Sequence, residues 1–313
     1  MAQANASPAP KNRTSLFRDD QGRLRGGWLL SLTLAAWFVA TLALRVGMAA
    51  GFGWLFRVWG ISASNAHRAP AWARMIYVWH GSMITLLSAV VVLALSFALR
   101  RLWRLERRER FAPAKLGGAW LCGLGTIVSI AVLCLVPDSM RLEWPLSRPR
   151  LTAALPALCL ISLVSALAEE TFTKRVVFDG LRARWGVGWA ALCACLNSFV
   201  SGSGWTGGVL CAVNVLLMGL LCCAIYEKKG LWAAAGFRWG WSVATLFLLG
   251  FGGGDHAVYR LYSVSERWLT GGDGGPICGA WGTLLLVILL GCLERDRLKA
   301  LWKTFRRKKA TAD

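Results

Sequence analysis

The chain has 313 residues, of which 56% are hydrophobic and only 17% charged. A soluble protein carries about 25% charge, and the apolar residues here gather into runs too long for a soluble core, so a membrane protein is expected. The formal charge of +20 could signal nucleic-acid binding. Most Lys and Arg, however, fall in short segments between apolar runs, where cytoplasmic loops collect them; an anionic lipid surface, not nucleic acid, is the expected partner.

In chain order, residues 1–26 form a polar, basic tail expected to be disordered. Apolar runs long enough to cross a bilayer follow at about 28–48, 77–99, 117–136, 152–180, 187–204, 209–226, 231–251 and 279–293. The first is longer than the apolar part of a signal peptide and seven more follow, so it is read as an uncleaved helix. The fold class expected is all-α, a polytopic protein of about eight transmembrane helices. Helices one to three occupy 27–149, a core of helices four to eight occupies 150–293, and a basic tail occupies 294–313. That tail, RDRLKALWKTFRRKKA, reads as an amphipathic extension lying on anionic lipid.

Of the 36 Lys and Arg residues, 26 fall on the side of the N-terminus, counting Lys174 and Arg175 at the end of the fourth span, 8 fall on the other side, and Arg45 and Arg238 lie deeper within spans. This bias predicts a multi-pass protein of the cell (inner) membrane with both termini cytoplasmic. The ten cysteines lie in or beside apolar runs and lack CxxC pairs, so they are read as packing residues. Glycine patterns at 202–207 and 252–255 are read as turns rather than nucleotide-binding loops, since no strand or GK[ST] accompanies them. His67, His80 and His256 are read as interface residues.

Ionisable groups at membrane depth mark function by default, because each costs roughly 2.5–3.5 kcal/mol at a helix centre on insertion scales. The stretch LAEETFTKRVVF (167–178) holds Glu169, Glu170, Lys174 and Arg175. At about 1.5 Å per residue, Glu169 lies roughly 18 Å from the cytoplasmic end of its helix, Ser203 roughly 24 Å, Arg238 roughly 10 Å and Ser242 roughly 16 Å. Spans four, five and seven can therefore converge on one polar cluster. Arg45, near the outer end of the first span, is read as snorkelling to headgroups.

EETFTK at 169–174 resembles the EExxxR motif of the CPBP superfamily of intramembrane proteases, which includes type II CAAX prenyl endopeptidases and Abi bacteriocin-immunity proteins. Phe199-Val-Ser-Gly-Ser203 resembles the family's FxxxH motif, Arg238-Trp-Gly-Trp-Ser242 its HxxxN motif, and LTGGDGGP (269–276) its glycine-rich approach to the last helix. The resemblance implies that Glu169 and the FxxxH position activate water for peptide hydrolysis, while the third-motif positions stabilise the oxyanion or complete the polar site. It carries the catalytic positions onto Glu169, Glu170, Ser203, Arg238 and Ser242.

This chain departs from the pattern. Ser203 and Arg238 stand in place of histidines, Ser242 in place of asparagine and Lys174 in place of arginine. A hydroxyl is a poor base and a guanidinium stays protonated, so the expected function is that of a catalytically impaired protease homologue that binds a membrane protein or peptide. In that reading the glutamates pair with Arg238 or Lys174, and Lys174 and Arg175 are structural. Two alternatives stay open: an active endopeptidase that uses Glu169, and a membrane transport protein. No cofactor is expected, and the missing histidines argue against zinc.

Overall fold

The computed structural model describes residues 25–62, 64–103, 105, 109–143, 154–201, 208–251, 258–264, 267–275, 278–297 and 299. Helices α1 (Gly26–Val58) and α2 (Ala71–Leu102) are followed by α3 (Pro113–Leu135), which starts with proline in its first turn. A short strand β1 (Met140–Glu143) precedes α4 (Leu155–Glu170), which runs on as a π-helix over Thr171–Phe178. Next come α5 (Asp179–Ser201), α6 (Gly208–Lys229) and α7 (Leu231–Val243), the last extended by a π-helix over Ala244–Leu248. Strand β2 (Arg260–Ser263), helix α8 (Arg267–Thr270) and helix α9 (Ala280–Leu293) complete the described chain. Strands β1 and β2 pair antiparallel, with Met140 opposite Ser263 and Glu143 opposite Arg260.

Five helical stretches among the described residues are long and apolar enough to cross a membrane: 26–58, 71–102, 113–135, 155–196 and 208–229. The protein is thus an all-α membrane protein, although length and composition alone do not reach the expected eight spans. Part of the difference is local. Gly186, at φ 79°, breaks the helical backbone inside α5, and only glycine takes that conformation cheaply. The break falls where two separate spans were expected. The α7 unit and α9 are shorter than a full crossing. Large side chains such as Phe97, Val136 and Val209 stand exposed on the outside of the bundle, as lipid allows and water does not.

Two ends can be told apart. At one, which we call the ion-paired end, Tyr226 donates to Asp179 at 2.5 Å, Arg182 faces Glu227 at 3.4 Å and Arg297 donates to Glu227 at 2.7 Å. Lys228 faces Glu294 at 3.4 Å, and Arg297, held by Glu227, has its pKa raised. Glu109 belongs to the same end. Its Oε2 accepts the backbone N–H of Leu231 at 2.8 Å, capping α7, and faces Arg175 at 3.4 Å. The β1–β2 sheet lies at the opposite end, where Leu261 donates to the carbonyl of Leu249 beyond α7.

The tightest helix pair is α3 with α7. A Cβ at Gly123 would run into the Phe237 carbonyl, one at Gly236 into that of Leu116, and one at Gly240 into that of Trp120. Gly236-x-x-x-Gly240 is a small-residue stripe of the kind that brings membrane helices into backbone contact. It fixes the rotation of α7, and so the direction in which Arg238 points. The ten cysteines are all free.

The two tails, at 1–24 and 300–313, lie outside the described residues, as do Gly202–Gly207, residues 252–257 with His256, and Ser203. The glycine-rich approach to α9 is described through Gly275. Gly271 sits at φ 83°, where a Cβ would strike the Gly275 carbonyl, so the turn needs glycine twice over.

Candidate functional site: an intramembrane ion cluster under a cavity

Helices α4 and α7 lie side by side, pinned by Trp239, whose indole N–H donates to the carbonyl of Cys159 at 2.9 Å. Their contact places Arg238 against both glutamates. Arg238 Nε donates to Glu170 Oε1 at 2.5 Å, and Nη1 lies 3.0 Å from Glu169 Oε1. One guanidinium thus bridges two adjacent carboxylates. They project about 100° apart on an ideal helix, and the planar fork of arginine can still span them.

The glutamates differ in surroundings. The Glu170 side chain is 0% exposed, and its second oxygen faces Lys174 Nζ at 3.7 Å. Lys174, also 0% exposed, donates to the carbonyl of Gly219 at 3.4 Å, tying the cluster to α6. Glu169 is 32% exposed, and its backbone carbonyl accepts from Thr173 at 2.7 Å. Its carboxylate lines a cavity of about 450 Å³. Arg238, Ser242 and Arg45 line the same space, with Trp37 and Trp241 among its apolar walls.

The depth estimate separated Glu169 from Arg238 by about 8 Å at α-helical rise, yet the two touch. The π-helix over Thr171–Phe178 and the length of the arginine side chain both shorten that distance. The wider turns of the π-helix advance less per residue, so the glutamates lie nearer the ion-paired end than a regular helix would put them. Irregular turns of this kind occur often at functional sites. A second π-helix, Ala244–Leu248, begins two residues after Ser242.

The sequence-predicted residues therefore divide into groups. Glu169, Glu170, Lys174 and Arg238 meet in one cluster, and Ser242, one turn beyond Arg238, shares its cavity. Arg175 does not join them; it turns away to Glu109. Ser203 lies outside the described residues. Arg45, read from sequence as snorkelling to headgroups, stands exposed and also lines the cavity. Sequence reasoning missed Glu109 and the glycines of the α3–α7 seam; the spacing of Gly236 and Gly240 was the signal that could have found the seam. His80 sits apart, its ring 5.3 Å from that of Phe56.

Fold and site together define a polytopic α-helical membrane protein that holds a glutamate–arginine–lysine cluster beneath a half-open cavity. Residues 151–244 match the family model described as type II CAAX prenyl endopeptidase Rce1-like. That segment carries all three motif positions, and the match supports membership of the CPBP superfamily. No curated protein and no solved structure matches the chain.

Proposed function

We propose that this CAAX-endopeptidase-like membrane protein is a catalytically impaired protease homologue, whose cavity binds a membrane-embedded partner or peptide without cutting it. The observation that carries this reading is the guanidinium of Arg238 in direct contact with both glutamates. A base must have a free lone pair aimed at the proton it takes. Here one oxygen of Glu169 is engaged by Arg238, Glu170 is buried between two cations, and arginine cannot relay a proton. The same cluster holds α4, α6 and α7 in register. On the expected orientation the ion-paired end and its basic tails face the cytoplasm and the anionic inner leaflet.

One observation favours the alternative of an active endopeptidase: Glu169 is part-exposed to a cavity large enough for a small ligand. A single experiment separates the two. The full-length protein, reconstituted in liposomes, is incubated with a fluorogenic prenylated CAAX peptide. The impaired reading expects saturable peptide binding and turnover no higher than in empty liposomes. Turnover that disappears in Glu169→Gln overturns it.

A further inference from the structure

The cavity contains one charge that the cluster does not balance. Glu169 and Glu170 are matched by Lys174 and Arg238, all within the contacts given above. Arg45 adds a further positive charge at the exposed edge of the cavity, where it acts on Glu169 only through space; no hydrogen bond or ion pair engages it among the described residues. It belongs to α1, outside the matched segment 151–244. Trp37, Thr41 and Arg45, at i, i+4 and i+8, share one face of α1 and all line the cavity. Trp37 stacks on Phe172 at 5.9 Å between ring centroids, which holds that face against the π-helix.

Donors without acceptors accompany this charge. Arg238 Nη2 is buried with no hydrogen-bond partner, and so is the Ser88 hydroxyl, which also lines the cavity. The rest of the wall is largely apolar, with Phe38, Leu42, Trp241 and Leu246. An anion on an apolar body complements such a lining. Its charge follows from the balance: one negative charge neutralises Arg45. A phosphate monoester brings roughly −1.5 to −2 at neutral pH, and the excess would face Glu169. Carboxylate also matches the arginine fork in two parallel hydrogen bonds.

The geometry points to a second binding determinant in this cavity: Arg45 receives a carboxylate carried on a single apolar chain, its body lying between the α1 and α7 walls. This rests on reading the cavity as a binding site, not on the absence of turnover. A free fatty acid and the C-terminus of an apolar peptide share this chemistry.

The test uses the full-length protein in nanodiscs of neutral lipid, with binding read by isothermal titration calorimetry. Laurate is titrated against its methyl ester, and an N-acetylated apolar tripeptide with a free C-terminus against its amide. We expect at least one acid to bind saturably and about tenfold more tightly than its neutral counterpart, the worth of a hydrogen-bonded charge contact. Arg45→Ala abolishes that preference and Arg45→Lys restores part of it, with unchanged thermal unfolding. Binding of laurate alone assigns a lipid-derived ligand, and binding of the tripeptide alone assigns a peptide terminus. Equal affinity for acid and neutral forms, or a preference that survives Arg45→Ala, overturns the inference. Turnover of the CAAX peptide with the acid preference intact overturns only the impaired-protease reading; loss of the preference without turnover overturns only this one.

Discussion

Replacing Arg238 with methionine removes the cation shared by both glutamates while keeping the unbranched apolar stem. In the parent, Glu169, Glu170, Lys174 and Arg238 sum to zero charge; the variant leaves −1, with Glu170 fully buried and only Lys174 at 3.7 Å to face it. Breaking a buried pair in this way costs about 3–5 kcal/mol, most of it the desolvation of the partner left behind. Glu170→Gln leaves +1 and strands Lys174, which is 0% exposed, so a loss of the same order is expected. The double variant returns the cluster to zero. It should be more stable than the sum of the singles predicts, by about 0.5–3 kcal/mol, the usual coupling between groups in one network. Glu169→Gln should cost less than Glu170→Gln, because its carboxylate is 32% exposed. Unfolding of the purified protein by SDS titration in mixed micelles measures all four. Additivity to within about 0.5 kcal/mol, or Glu169→Gln as the costliest change, would refute the view that Arg238 and Glu170 form the buried centre of the cluster.

Three further outcomes are expected. Gly240→Ala drives a methyl group into the Trp120 carbonyl, so it should destabilise by about 1–3 kcal/mol, as overpacking does; Gly118→Ala, on the facing helix α3 with open space around it, should be nearly neutral in the same titration. Glu109→Ala uncaps α7 and frees Arg175; a loss of about 1 kcal/mol is expected, with faster hydrogen exchange confined to the first turn of α7. In a cysteine-free background, Asp138→Cys should label with an impermeant maleimide from outside intact cells and Arg184→Cys only after permeabilisation. The reverse pattern would invert the proposed orientation.

The convergence of the third motif on the first was legible from residue order and depth alone, because charged residues in apolar helices have few places to go. The contact itself was not. Whether Arg238 reaches Glu169, Glu170 or both depends on the rotation of α7, which the Gly236–Gly240 seam with α3 sets, and on the π-helix after Glu170, for which the sequence carries no periodic signature. Arg175 shows the same limit. It is adjacent to Lys174 in sequence, yet a helix turns neighbours apart, and Glu109 from another segment claims it.

What the sequence determined by itself was the class of solvent, the likeness to the endopeptidase family over 151–244, and the identity of the groups that stand at the motif's histidine positions. These follow from composition and from short-range spacing, which any chain displays before it folds. Only the tertiary structure decided that one guanidinium serves both glutamates and that Arg45, from a helix outside the matched segment, shares their cavity. Helix rotation and the meeting of distant segments are products of packing, and packing is not written in the spacing of any one helix.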